Sequence, residues 1–175
     1  MDVMIDIETL GTGLDAVVIQ LAAAKFNGAG IGDTFTTPLN PQGQISKGRT
    51  WDFDTLLFWV QQPTCYQVWS EAVNADHNTK ATLQRFAEWY TSTPVEHVWA
   101  KPPKFDIVIL EQLYRMYSVR VPWDHRAPRD VRTLMSLVPE SCDVRRGTHI
   151  ALEDVKDQCQ SVMNALTYLK GVSHE

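Results

Sequence analysis

The chain has 175 residues, 44% hydrophobic and 21% charged, with a net charge of −5; this is enough apolar material for one core and rules out a disordered or fibrous chain. Its longest apolar stretch, AVVIQLAAAKF, carries Gln20 and Lys25 and is too short to span a bilayer. No basic-then-apolar leader opens the chain, so a cytoplasmic protein with no membrane partner is expected, and three scattered cysteines without a Cys-x-x-Cys pair argue against a disulfide framework or a structural zinc site.

Residues 2–8 (DVMIDIE) read as a buried strand and residues 16–27 as a second. NGAG at 27–30 supplies turn residues before a third strand over 31–39. From Asp52 the apolar spacing becomes helical over 52–62, over 63–72 behind Pro63, and over 78–93, where Leu83, Phe86, Ala87 and Tyr90 recur at steps of three and four. VEHVWA (95–100) is a short strand, 105–118 a largely buried helix, and 130–138 a shorter helix capped by Asp130. The last helix runs over 151–170 with Val155, Cys159, Val162 and Leu166 along one face. This order predicts an α/β fold in one domain over 1–175, a mixed sheet with helices packed on it and a further strand left unlocated before the last helix.

The charge is spread unevenly. Residues 1–100 hold 5 Lys/Arg against 11 Asp/Glu, residues 101–146 hold 9 against 6, and residues 147–175 hold 2 against 4. The middle segment, with Lys101, Lys104, Arg126, Arg129, Arg132, Arg145 and Arg146, is either solvated surface or a rim that holds phosphates on an acidic body. The six tryptophans lie mostly in helical patterns and read as core.

Asp6 and Glu8 stand two apart on a strand and so share one face, where like charges repel unless something positive lies between them. The competing reading is two acids on the wet face of an edge strand. Asp106 and Asp154 each stand at a helix start, a placement that the helix dipole alone explains. His149 precedes Asp154 by five residues, about 140° apart on one continuous helix, so the two converge only if His149 lies in the loop before it. Taken together, four carboxylates and one imidazole form a hard-oxygen set suited to Mg²⁺ or Mn²⁺.

IDIETLG (5–11), Phe105-Asp106 and HIALEDVKDQ (149–158) resemble the three motifs of the DEDDh 3′–5′ exonucleases, the DnaQ-like branch of the ribonuclease H-like superfamily. DTLLFW, VWAKPPKFD and RDVRTL are similar to the phage and prophage group of exodeoxyribonuclease VIII-like enzymes and phage exonuclease A. The resemblance spans residues 4 to about 170 and implies a ribonuclease H-like fold, a central mixed five-stranded sheet flanked by helices. It implies that Asp6, Glu8, Asp106 and Asp154 hold two divalent ions, Mg²⁺ or Mn²⁺, and that His149 is the general base. Thr9 would meet the 3′ end and Leu10 would wedge against a base, unless Leu10 is ordinary packing under the turn.

Before the Phe-Asp pair, where this family usually has small residues, the chain has KPPK. Lys101 and Lys104 there stand ready for phosphates beside Phe105. Arg132 either reaches the site or braces the acids. The implied activity is metal-dependent release of nucleoside 5′-monophosphates from 3′ ends of nucleic acid, DNA before RNA. The rivals are an exoribonuclease and a nuclease-fold accessory protein that binds without catalysis; the intact set of five residues argues against the last.

Overall fold

The computed structural model describes residues 1–144 and 146–172. Strand β1 (Asp2–Thr9) is central. It pairs antiparallel with β2 (Val18–Asn27), which pairs antiparallel with β3 (Gly30–Pro38). On its other side β1 runs parallel to β4 (His97–Ala100), and β4 runs parallel to β5 (Pro128–Asp130). The sheet order is β3-β2-β1-β4-β5. The expected turn after Asn27 is a two-residue hairpin loop closed by an Asn27–Gly30 pair, and Gly30 takes the positive φ (138°) that a side chain would resist.

Seven helices accompany the sheet: α1 (Pro41–Ile45), α2 (Phe53–Gln61), α3 (Cys65–Val73), α4 (Thr79–Thr91), α5 (Asp106–Met116), α6 (Val131–Met135) and α7 (Ala151–Val172). Side-chain caps fix several starts: Asp52 accepts from the Thr55 amide, Asn78 from Ala81 and Asp130 from Arg132. The short α1 and the three-residue β5 are additions to the elements read from the sequence. β5 is Pro-Arg-Asp and α1 is five residues long, so neither carries an apolar period.

The alternation of β1 decides what lies where. Val3, Ile5 and Ile7 point to one face and join Leu83 and Phe86 of α4 and Ile109, Leu110 and Leu113 of α5 in the main core. Met4 points to the other face, where Val155, Cys159 and Val162 of α7 cover it together with Ala22 and Ala24. Asp6 and Glu8 continue the Met4 row, so they stand on the sheet face that α7 covers. A third cluster joins Leu10, Val17, Ile19, Trp59, Val68 and Ala72 under α2 and α3. The tryptophans are not all core: Trp51 is 51% exposed. No helix among the described residues is long and apolar enough to cross a membrane.

Candidate active site

Where β1 and β4 end side by side, a cavity of about 560 Å³ opens, with Asp6, Glu8, Asp106, His149 and Asp154 in its lining. Each arrives by a different local device. Asp6 and Glu8 come from the last turns of the pleat in β1, just before its pairing with β2 slips at Glu8/Thr9, an irregularity that re-aims the strand end. The β1–β4 ladder covers only Asp2–Met4. Beyond it the chain swings through residues 101–105, and Asp106 returns at the start of α5 to accept the Ile7 amide at 3.2 Å. That bond pins a carboxylate 3% exposed against the strand that carries the first pair.

Asp154 holds the loop in front of its own helix. Its Oδ1 accepts from the Thr148 amide and hydroxyl, both at 3.2 Å, and its Oδ2 from the His149 amide at 3.1 Å. His149 lies outside α7 in the left-handed region (φ 52°), as the loop placement required. Thr64 ties the same loop to the α2–α3 turn by donating to the Thr148 carbonyl at 3.2 Å. The N-terminus of α7 is itself fastened to the sheet, because Gln20 of β2 accepts the Ala151 amide at 2.8 Å.

The electrostatics follow from this crowding. Burial, then the charges of Asp106 and Glu8, push Asp6 well above the usual carboxylate range, although Gln158 opposes this by donating to Asp6 Oδ1 at 2.8 Å. Burial, followed by Asp154 and Asp106, raises Glu8 to about 8. Burial raises Asp106 to about 7 against the opposing Ile7 amide and the Arg132 charge. Such groups resist ionising together unless a cation joins them.

The donor set fits divalent metal. Glu8, His149 and Asp154 each offer a ligand atom within 4.8 Å of the others. Asp157 Oδ2 and Gln158 Oε1, on residues in the cavity wall, are buried without a hydrogen-bond partner among the described residues. Oxygen-rich, anionic and desolvated, this lining suits hard cations.

A second cavity of about 680 Å³ adjoins the first, sharing Ile7, Glu8 and Phe105. Thr9, Thr12, Asp52, Phe58 and Trp59 also line it, and no Lys or Arg does. Thr9 therefore faces this pocket, with its hydroxyl donated to the Gly11 carbonyl at 2.7 Å and its own carbonyl accepting from Trp59 Nε1 at 2.8 Å. Leu10 is a correction to the wedge reading. It is 2% exposed and packs among Val17, Ile19 and Trp59, because the strand's alternation turns it into the third core cluster.

Lys101 lines the acidic cavity but is paired with Asp143 at 3.0 Å. Lys104 is exposed and lines neither cavity, pointing away on the far side of the turn before Phe105. Arg145 lies outside the described residues.

The model of the Rv2179c-like 3′–5′ exoribonuclease domain matches residues 1–166. The chain belongs to this family. It is a hydrolytic 3′–5′ exonuclease of the DEDDh kind.

No curated protein matches the chain in sequence. Among solved structures, the exonuclease is similar to the nuclease domain of 3′hExo, a DEDDh family member bound to rAMP, with a TM-score of 0.65 and 13% identity over 95% of this chain and 91% of that one. It is similar also to E. coli ExoI in a metal-free complex with single-stranded DNA, with a TM-score of 0.65 and 15% identity over 97% of this chain and 40% of that one. Exonuclease X, in complex with 5′ overhanging duplex DNA, matches with a TM-score of 0.50 and 11% identity, over 100% of this chain and 94% of that one. At these identities the likeness is one of fold, and it is the expected ribonuclease H-like fold, a mixed five-stranded sheet flanked by helices.

Sequence reasoning missed Gln158, Phe58 and Thr64. Gln158 carried a signal, since it follows Asp154 by four residues and so shares its helix face. Phe58 and Thr64 carried none, because their closeness to residues 148–149 is purely tertiary.

Proposed function

We propose that this exonuclease removes nucleotides one at a time from the 3′ ends of RNA, releasing nucleoside 5′-monophosphates, with two divalent ions (Mg²⁺ or Mn²⁺) held by Asp6, Glu8, Asp106 and Asp154 and with His149 as general base. The observation that carries the reading is the gathering of four carboxylates and one imidazole, from three distant stretches of chain, into one cavity. The family's description as an exoribonuclease domain supports RNA, as does the rAMP bound to the 3′hExo nuclease domain. DNA is the second reading, favoured by the single-stranded DNA in the E. coli ExoI complex and by the phage-group resemblance, which the family match does not carry. The unit that acts is the one exonuclease domain over 1–175.

The chain's own residues divide the work. Bound divalent ions neutralise the acids, lower the pKa of the attacking water and stabilise the leaving 3′-oxygen. Asp154, held by three donors from residues 148–149, fixes the loop from which His149 reaches the water and takes its proton on a ring nitrogen. Gln158 keeps Asp6 turned into the cavity. The uncharged wall of the second cavity, with Phe58, Trp59 and Thr9, takes the terminal base and sugar, while the phosphate stays on the side of the cations.

Digestion of end-labelled RNA, single-stranded DNA and duplex DNA, each with Mg²⁺, Mn²⁺ or EDTA, tests the whole reading. Stepwise loss from the 3′ end, fastest on RNA and stopped by EDTA, is expected. Faster loss from DNA would replace the substrate, and internal cuts or EDTA-resistant turnover would remove the assigned site.

A further inference from the structure

We infer that Arg132 is the residue that grips the scissile phosphodiester, in place of the lysines of the 101–104 loop; the inference rests on the nuclease reading above. Three described cations line the acidic cavity: Lys101, Arg132 and Arg146. Lys101 Nζ lies 3.0 Å from Asp143 Oδ1, and that carboxylate is 3% exposed. Arg146 Nε lies 3.4 Å from Asp157 Oδ1, a side chain 9% exposed. Withdrawing either cation to hold a phosphate would strand a buried acid, which is strongly unfavourable.

Arg132 is placed differently. Among the described residues no carboxylate lies within 4.0 Å of its guanidinium. Its nearest acid in sequence, Asp130, is spent on the helix start: Oδ1 accepts the Arg132 amide at 2.9 Å and Oδ2 the Thr133 hydroxyl at 2.8 Å. The cap thus fixes the backbone of Arg132 at the first turn of α6, directly after β5, and leaves its side chain to the cavity. Arg132 is close enough to Asp106 to favour its ionised form, yet outside ion-pair distance. A planar guanidinium beside, but not bound to, a cluster of acids offers two parallel donors to the oxygens of a phosphate. A phosphodiester entering four carboxylates needs such a counter-charge on its open side.

The test compares Arg132→Gln and Arg132→Lys with the unaltered protein at saturating Mn²⁺. The substrates are RNA oligonucleotides whose last linkage is all-oxygen or a phosphorothioate of either configuration. Arg132→Gln is expected to lose about 10²–10³-fold in kcat/KM, the usual cost of removing a positioned donor to a developing charge. The loss should persist as Mn²⁺ is raised, and Lys should restore part of it. Slowing by one of the two sulfur configurations should shrink in Arg132→Gln, because the residue and the oxygen act on each other.

If the loss vanishes at high Mn²⁺, Arg132 only offsets the acids and the inference falls. It falls too if residue and sulfur effects multiply for both configurations. An unaltered protein inactive on RNA and DNA would remove the nuclease reading and this inference together. An active one indifferent to Arg132→Gln and Arg132→Lys would remove this inference alone.

Discussion

The edge of the Phe58 ring stands against the His149 imidazole, centroids 4.9 Å apart and planes at 88°. An edge-to-face pair of this kind is worth about 0.5–1.5 kcal/mol beyond its burial. Here it bears on a residue whose backbone already sits at an unfavourable φ of 52°. The ring therefore sets where the imidazole points while Asp154 sets where its backbone lies. Phe58→Ala should lower kcat by roughly tenfold, the rate equivalent of about 1.4 kcal/mol, and Phe58→Tyr should retain most of it. Steady-state kinetics decide the matter; a Phe58→Ala enzyme with unchanged kcat would show that the contact is incidental packing.

His149→Ala should slow hydrolysis by about 10²–10⁴-fold, the range of a positioned general base. Folding and Mn²⁺ binding should survive, since the loop is held by backbone amides and not by the imidazole. Single-turnover digestion beside a thermal melt and a Mn²⁺ titration separates these effects. Near-normal turnover would leave His149 without a role in proton transfer.

Asp6→Asn should abolish turnover and, without metal, raise the melting temperature. The substitution keeps the shape while removing one of the charges whose mutual repulsion, added to burial, lifts Asp6 above the usual carboxylate range. Melts in EDTA and in excess Mg²⁺ provide the check. The expected order reverses between them, the unaltered protein gaining more from the ion. Retained Mg²⁺-dependent activity in the variant would falsify the assignment.

Stability without metal should fall as pH rises. The folded state keeps protons on Glu8 up to about 8 and on Asp106 up to about 7, with Asp6 raised as well, whereas their ordinary values are 4.5 for Glu8 and 3.8 for the two aspartates. Between about pH 4 and pH 8 the folded chain thus binds more protons than the unfolded one, and stability declines across that window. Calorimetry in EDTA should show the decline, and saturating Mg²⁺ should flatten it by taking the place of the protons. A melting temperature independent of pH in EDTA would contradict the raised values.

What the sequence disclosed depended on whether a residue's partner is near it along the chain. The pairing of Asp6 with Glu8 follows from a two-residue period, and the start of α7 just after His149 follows from the apolar face of that helix. β5 escaped notice because Pro128, Arg129 and Asp130 have no apolar alternation and become a strand only beside β4. Leu10 was legible as apolar but not as buried, since its neighbours Trp59 and Val68 come from helices some fifty residues on. The basic middle segment was legible as composition. That two of its cations would be tied to Asp143 and Asp157 was not, because those acids approach only when α7 folds back over the sheet.

The bonds that assemble the cavity also impose an order in time. Ile7 meets Asp106 across 99 residues, Ala151 meets Gln20 across 131, and Gln158 meets Asp6 across 152. During synthesis a chain emerges from its N-terminal end, so a nascent chain presents Asp6 and Glu8 early while α7, bearing Asp154, is still to come. For a hydrolase of polynucleotides born on a ribosome, itself largely RNA, the arrangement is a safeguard: the cutting centre cannot close until almost the whole polypeptide has left the machine that made it.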